Sequence, residues 1–332
     1  MITTGVPFSE ARKTEVVDVV TGKTCTDLAD FPLANSLPVY GAVGVNLHGT
    51  PAVCGGLSKG FLERCYKFTN GGWQYFASMK ERRMLAAGVT YNKKFHIFGG
   101  FATSNQVKTS ELISIDGGVE YGPELPAAVK GHAITPINAT VSILSGGQIN
   151  VTNINQMSPL TWYFNHETQD FTSGPSLIEG REGHGSATCT DKVTKERITI
   201  VTGGRDSYSW ILESTELLIN GQWTFGPPLP KRLENAIMQE IQHDVFLFGG
   251  DSFGGYSGNY ESAIYQLSCS SSICSWSTIN QALKVARFWT VAIPVRDYFC
   301  LEDTTLSTTT TTTTTKSIKK IFRKILWPSQ II

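Results

Sequence analysis

Five stretches of the chain end alike, and they decide the fold: TPAVCGG (50–56), KFHIFGG (94–100), VSILSGG (141–147), ITIVTGG (198–204) and DVFLFGG (244–250). Their β-branched and aromatic residues predict a strand that ends where the backbone needs glycine. The Gly-Gly pairs recur 44 to 57 residues apart. A motif that returns at such intervals indicates a repeated structural unit.

A β-hairpin is predicted after each Gly-Gly pair, following a loop of variable length. The five hairpins lie at 63–79, 110–126, 160–177, 214–230 and 262–279. A sixth hairpin, at 13–32, has no Gly-Gly strand before it, and the segment 286–300 has the pattern of a first strand with no hairpin after it. We therefore predict that the two chain ends are parts of one split repeat, which makes six repeats.

The repeat resembles the kelch repeat, because each unit combines the Gly-Gly strand with a hairpin that carries a late aromatic residue. That residue is Trp73, Trp223 or Trp276 in three copies, and Tyr121 or Phe171 in two others. The resemblance implies an all-β fold, a six-bladed kelch-type β-propeller closed by pairing of the N- and C-terminal segments in one blade. The predicted organisation is an N-terminal lead (1–12), the propeller (13–300), a Thr-rich linker (301–315) and a basic amphipathic tail (316–332).

Composition narrows the class of protein. The 332 residues include 28 Lys plus Arg and 28 Asp plus Glu, and 41% are hydrophobic. A hydrophobic content of this size supports a folded core, and zero net charge argues against a nucleic-acid binder that works by general electrostatics. The first twenty residues lack the basic start and apolar core of a secretory signal.

Variable loops on a rigid repeat are where binding usually occurs, so the loops after the Gly-Gly pairs form the predicted binding face. They supply Phe101, Arg205, Tyr208, Trp210 and Tyr256. A basic residue also lies near the start of the first strand in five repeats: Arg83, Lys130, Arg181, Arg232 and Arg287.

Kelch domains of the kelch-like ubiquitin-ligase adaptors present a similar Arg-rich pocket to acidic peptides. The resemblance therefore implies a partner-binding role for Arg83, Arg181, Arg232 and Arg287, which match those positions by register. The alternative is structural: each arginine starts a strand and pairs with a carboxylate of a neighbouring blade.

No catalytic motif stands out. The sequence contains no nucleophile elbow, Walker or dinucleotide motif, and its six histidines have no spacing typical of a metal site. Iron-dependent plant specifier proteins of the kelch type need Glu, Asp and His four residues apart, whereas this chain has Glu240, Asp244 and Phe248. We predict a protein that is not an enzyme and that needs no metal and no cofactor.

The cysteines and sequons favour an extracellular setting. Cys269 with Cys274, and Cys54 with Cys65, lie on adjacent predicted strands, and Cys25 and Cys300 both fall in the closing blade, so these are the candidate disulfides and Cys189 is left over. Seven reduced thiols in a cytosolic protein remain the alternative. Asn138 and Asn150 each begin an N-glycosylation tripeptide.

These observations predict a secreted glycoprotein that acts as a monomeric, non-catalytic scaffold for a protein or peptide ligand. We expect no nucleic-acid partner and at most weak contact with a membrane surface through the 316–332 tail. The alternative is a cytoplasmic substrate-recognition module of a kelch-like ubiquitin-ligase adaptor, or an actin-binding kelch protein, present as a fragment. No dimerisation or cullin-binding domain of the BTB or BACK type precedes the repeats in this chain.

Overall fold

The computed structural model describes residues 1–6, 10, 12–32, 37–151, 154–254 and 259–295. The described residues form strands, turns and loops and contain no helix. Accordingly, none of them forms a helix that could span a membrane. The predicted Thr-rich linker and the 316–332 tail lie outside the described residues.

Five antiparallel sheets of four strands follow one another along the chain, and in each sheet consecutive strands are neighbours. Sheets I and II are formed by the strands Val43–Leu47, Thr50–Cys54, Arg64–Thr69 and Gly72–Ser78, and by Ala87–Tyr91, Lys94–Phe98, Ser110–Ser114 and Val119–Tyr121, respectively. Sheets III and IV are formed by Ala133–Pro136, Val141–Ser145, Thr161–Asn165 and Asp170–Ser173, and by Gly185–Thr190, Arg197–Thr202, Thr215–Ile219 and Gln222–Phe225. Sheet V is formed by Ile237–Ile241, Asp244–Phe248, Ala263–Ser270 and Ile273–Ala282.

The two chain ends supply a further set of paired strands, here called the terminal sheet. Val291–Ala292 pairs with Ile2–Thr3, Ile2 is bridged to Glu15, and Val16–Val17 pairs with Thr24–Cys25. The first residues of the chain therefore form a strand, where the sequence analysis assigned residues 1–12 to a lead. The sequence gives no signal for this strand, because ITTG has a single glycine and lacks the apolar run that precedes the five Gly-Gly pairs.

Short additional antiparallel strands lie in the segments between the main strands of the sheets. They are Phe101–Ala102 with Asn105–Gln106, and Val129–Lys130 with Gln148–Val151 and Ile154–Met157.

Each Gly-Gly pair lies at the end of a second strand, and both glycines of every pair have positive φ. The backbone leaves no room for a side chain at several of them. A Cβ added at Gly203 would lie 2.3 Å from the carbonyl oxygen of Leu233, and one at Gly249 would lie 2.3 Å from that of Arg287. Glycine is required there both for the left-handed conformation and for the close approach of the next connection.

A hydrophobic cluster fills the space between each sheet and the next. Leu217 and Leu247 belong to the cluster between sheets IV and V, and Val53 and Val291 to the one between sheet I and the terminal sheet. Similar clusters lie between sheets I and II, II and III, III and IV, and V and the terminal sheet. Burial of these faces is the main favourable term in stability, and the arrangement is propeller-like.

A closed ring of backbone hydrogen bonds joins the connections that precede the first strands. Each amide donates to the carbonyl of the preceding connection, and the last donor returns to the first, over N···O distances of 2.6–3.3 Å. The ring residues all have φ between 50° and 63°. They are Gly41, Leu85, Gly131, Gly183, Asn235 and Trp289.

Candidate binding face

The loops after the Gly-Gly pairs and the connections between sheets emerge at the same end of the strands, because every sheet is a simple up-and-down meander. We call this end the loop face. Within the five sheets, the turns at the other end have two residues in six cases, such as His48–Gly49 and Asn70–Gly71, and four or six residues at 115–118, 137–140, 166–169 and 191–196. The longest connections and the largest differences in length lie at the loop face, as the sequence predicted.

Three of the predicted binding arginines do not reach the surface of this face. Arg83, Arg181 and Arg287 are at most 1% exposed. Their Nη2 atoms lie 2.6, 2.6 and 3.0 Å from the carboxylates of Glu111, Glu216 and Glu15 respectively. The prediction that these arginines line a partner-binding surface is therefore wrong, because buried guanidinium groups with satisfied donors offer nothing to a ligand.

The same geometry recurs at each of the three arginines. Arg181 donates from Nη1 to the carbonyls of Gly203 and Ser214 at 2.8 and 3.2 Å. Arg83 likewise donates from Nη1 to the carbonyls of Gly99 and Thr109. The arginine thus binds the backbone of the loop after the Gly-Gly pair. Buried ion pairs of this kind persist only when further hydrogen bonds satisfy both partners.

The partner carboxylate belongs to the sheet that the arginine precedes, not to a neighbouring one. Glu111 also accepts hydrogen bonds from the backbone amides of Lys80 and Glu81, at 2.6 and 3.1 Å. A sequence signal for these partners exists. The third strand begins Ser-Glu, Thr-Glu and Thr-Glu in the three repeats that carry the arginine.

The other two basic residues occupy a different register. The backbone amide of Arg83 donates to a carbonyl of the preceding loop, that of Leu62. In two other connections the equivalent donors are the amides of Val129 and Leu233, and not those of Lys130 and Arg232. Lys130 instead lies 3.5 Å from Glu182. Arg232 is exposed and lies 3.5 Å from Glu213, so it remains a surface residue, and its predicted binding role remains a prediction.

Tyr208 and Trp210 project from a short hydrogen-bonded turn in the loop after sheet IV's Gly-Gly pair. The Asp206 side chain accepts hydrogen bonds from the amides of Tyr208 and Trp210 at 2.9 and 2.8 Å. The amide of Asp206 in turn donates to the carbonyl of Trp210. The two aromatic side chains are 84% and 65% exposed although the backbone beneath them is fixed.

Phe253, in the corresponding loop of sheet V, is 76% exposed. Its neighbour Gly254 lies close to the first loop, since a Cβ added there would be 3.2 Å from Arg205 Nη2 and 3.8 Å from Ile211. We call Tyr208, Trp210 and Phe253 the aromatic rim. Phe101 is half-buried, with its ring centroid 5.7 Å from that of Phe61, and Tyr256 lies outside the described residues.

A depression of about 180 Å³ is lined by five of the six ring residues and by Arg205, which belongs to the loop that also carries Tyr208 and Trp210. One wall is apolar and includes Leu85 and Trp289, and the other is charged. In the charged wall, Arg205 donates from Nε to Glu234 at 2.7 Å and from Nη2 to the same carboxylate. Glu182 and Lys130 complete this wall.

Carboxylates in this wall influence one another. Burial raises the pKa of Glu234, and the nearby charges of Asp251 and Glu182 add to the rise, while Arg205 offsets part of it. The hydrogen bond to Glu234 raises the pKa of Arg205, so the guanidinium stays charged. Oδ2 of the fully buried Asp251 has no hydrogen-bond partner among the described residues. Asp251 does not line the depression, so this acceptor is not open to a ligand there.

Two buried histidines lie behind the depression. His132 and His184 have their pKa lowered to about 3, chiefly because burial disfavours the charged ring, and for His184 also because of the Arg181 charge. In the described ranges, no group of three or more His, Cys, Asp or Glu side chains is placed to hold a metal ion. Glu240 and Asp244, considered above as iron ligands, bind Arg197 and Lys192 instead.

The structure describes both cysteines in two of the three predicted disulfide pairs. Cys54–Cys65 and Cys269–Cys274 are bonded across directly opposed strand positions, which confirms both pairs. Cys189 is free and buried. Cys300 lies outside the described residues, so its pairing with Cys25 remains a prediction.

The two sequons also remain predictions. Asn138 lies in an exposed turn, and its side-chain oxygen accepts hydrogen bonds from the amides of Thr140 and Val141. The side chain of Asn150 is not among those described.

Comparison with known proteins shows the fold and leaves the function open. No protein-family model matches the chain, and no curated protein does. A solved structure entitled "Structure of YjhT", a kelch-type β-propeller, matches with a TM-score of 0.67 and 12% sequence identity over 77% of this chain and 88% of that one. At this identity the match shows a shared propeller-like fold and nothing about activity, and the prediction that this protein is not an enzyme remains a prediction.

Proposed function

We propose that the chain is a six-bladed kelch-type β-propeller that serves as a binding scaffold for a protein or peptide through its loop face. Six residues in the hydrogen-bond ring, five four-stranded sheets and a terminal sheet support the blade count. The hydrophobic clusters between successive sheets, including those on both sides of the terminal sheet, support closure. Radial packing of this kind leaves only short strand edges exposed.

The aromatic rim is the observation that carries the binding proposal. Large apolar side chains in a soluble protein normally pack away from water, and an exposed group of them marks an interaction site. Tyr and Trp are enriched at binding hot spots because they combine apolar area with hydrogen-bonding capacity. Here the Asp206 turn holds Tyr208 and Trp210 in place before a partner arrives, which lowers the entropic cost of binding.

The charge of the depression indicates the chemistry of the partner. With Arg83, Arg181 and Arg287 buried, the described part of the loop face does not present the Arg-rich pocket that would suit an acidic peptide. The depression is lined by two carboxylates, Glu182 and Glu234, and two cations, Lys130 and Arg205. Asp251, fully buried and outside the lining, adds a third negative charge close to Glu234. We infer that the partner inserts a cationic side chain into the depression and lays apolar groups against the rim.

Two disulfides are compatible with an extracellular setting, where such bonds persist. The proposed partner is accordingly an extracellular protein or peptide.

A selection from a phage-displayed random peptide library tests this proposal. Peptides enriched on the wild type should lose binding to the Y208A/W210A/F253A variant and keep it on a V193A/I273A control. Val193 and Ile273 are exposed apolar residues at the opposite end of the sheets, Val193 in a turn and Ile273 at the start of a strand directly after a turn.

Enriched peptides that bind the triple variant as well as they bind the wild type would refute the rim as the binding site. Peptides that depend on the rim but carry no Lys or Arg would leave the site in place and refute the inferred partner chemistry.

A further inference from the structure

Three cysteines meet at the interface of sheets IV and V. Cys189 lies on the first strand of sheet IV, and the Cys269–Cys274 disulfide joins the last two strands of sheet V. The Sγ atom of Cys189 lies 3.2 Å from the Sγ atom of Cys269. Cys189 and Cys269 are fully buried, and Cys274 is the most exposed of the three, at 9%.

We propose that these residues form a thiol–disulfide exchange site in which Cys189 attacks Cys269 and Cys274 leaves. A thiolate exchanges with a disulfide by attacking one of its sulfurs directly, so a free sulfur in contact with one member of the bond meets the first requirement. The Cys189–Cys269 bond forms as the Cys269–Cys274 bond breaks. Cys189 gives up its proton, Cys274 takes one, and no oxidant or reductant is consumed.

The two isomers differ in what the disulfide connects. In the isomer of this structure, the bond closes the end of one hairpin within sheet V. In the exchanged isomer, it joins sheet IV to sheet V covalently and leaves a thiol at Cys274. That thiol lies next to the exposed turn at Ser271 and Ser272, where a partner cysteine or an oxidant could reach it.

The surroundings of Cys189 keep the exchange slow at neutral pH. Burial raises the pKa of the Cys189 thiol to about 12, and the carboxylates of Glu240, Asp191 and Asp244 add to the effect. Arg197 and Lys192, which pair with Glu240 and Asp244, are the cations on this side. Because only the thiolate attacks, the native protein should exchange faster as the pH rises.

The second described disulfide provides a matched comparison. Cys54–Cys65 also joins opposed residues of neighbouring strands within one sheet, but no third cysteine is recorded in contact with it among the described residues. Because Cys274 is also more exposed than Cys54 and Cys65, the C189S variant decides whether Cys189 causes a difference in reactivity between the two bonds.

The test is to incubate the native full-length protein with N-ethylmaleimide at pH 8 for a day and to map the cysteines by mass spectrometry under acidic, non-reducing conditions. We expect the label on Cys274 together with a Cys189–Cys269 linked peptide, and we expect a C189S variant to show neither. Label on Cys189 with Cys269–Cys274 intact would overturn the proposal, as would no label at any of the three.

Two variants provide a second, independent measurement. Oxidative folding of C274S should yield a Cys189–Cys269 disulfide, whereas C65S should leave Cys54 as a free thiol. Free thiols at both Cys189 and Cys269 in folded C274S would show that the contact cannot become a bond. The labelling of the wild type does not depend on whether C274S folds.

Discussion

Replacing Arg287 by alanine should destabilise the protein severely, because this side chain fastens both chain ends together. Its guanidinium donates to the Thr4 and Lys13 carbonyls at 3.2 and 3.1 Å and to the Glu15 carboxylate at 3.0 Å. In R287A, the buried Glu15 carboxylate would keep the amide of Lys284, at 2.8 Å, as its one hydrogen-bond donor among the described residues, and two carbonyls would lose the arginine as a donor.

Removing one partner of a buried ion pair costs about 3–5 kcal/mol, so we expect a loss of about 4 kcal/mol in the free energy of unfolding. Folded domains are stable by only about 5–15 kcal/mol in total, so the change should be large in any assay. Urea unfolding followed by tryptophan fluorescence measures it. The matched control is R232A, which breaks an exposed pair with Glu213 and should cost about 0–1 kcal/mol.

The double variant R287M/E15L separates the buried charge from the lost packing. If the cost of R287A comes from stranding the Glu15 carboxylate, removing both charges should recover about 2 kcal/mol or more of the loss. A cost for R287A as small as that of R232A would refute the buried-pair reasoning. So would a double variant no more stable than R287A.

Three further substitutions probe the backbone, a buried histidine and a disulfide, each followed by urea unfolding. G203A should cost at least about 2 kcal/mol, since alanine is disfavoured at φ +62° and its Cβ would meet a carbonyl at 2.3 Å; G60A, with open space around its Cβ, should be near neutral. His132 has a pKa of about 3 in the folded protein, so as the pH falls the unfolded chain takes up the proton first, and stability is lost from about pH 6.5 towards pH 3. Between pH 7 and pH 5, the free energy of unfolding of H132Q should therefore fall by about 2 kcal/mol less than that of the wild type. Equal losses in the two proteins would contradict a buried neutral ring. C54S/C65S should cost about 2–3 kcal/mol, from an 11-residue separation, and an unchanged midpoint would show that the bond constrains nothing.

The strands and two disulfides could be predicted from sequence because local rules determine them. A strand that ends in Gly-Gly can be recognised from its composition. Cys269 and Cys274 flank a single tight turn, so their opposed positions on the two strands follow from the hairpin. The strand at Ile2–Thr3 could not be found in this way. Its two residues form a strand because the far end of the chain pairs with them, and nothing local requires it.

The arginines show where sequence reasoning about the site failed. An arginine in a loop looks the same in sequence whether it faces solvent or a buried carboxylate. Arg83 is buried because it pairs with Glu111, which lies 28 residues later in the chain. The register prediction is wrong for a related reason: the position of Arg83 holds Val129 and Leu233 in two repeats. Alignment by charge therefore selects Lys130 and Arg232, one residue away. By contrast, the sequence places Tyr208 and Trp210 correctly in a loop, although it does not reveal the Asp206 turn that fixes them.

The ring of backbone hydrogen bonds also limits how such a chain can change over evolution. Each connection supplies one donor and one acceptor. In the proposed six-bladed arrangement, a unit inserted anywhere would have to break an existing bond of the ring, and the loss of a unit would leave one donor and one acceptor without their partners. Variation that selection can use one residue at a time is left to the loops outside the circle.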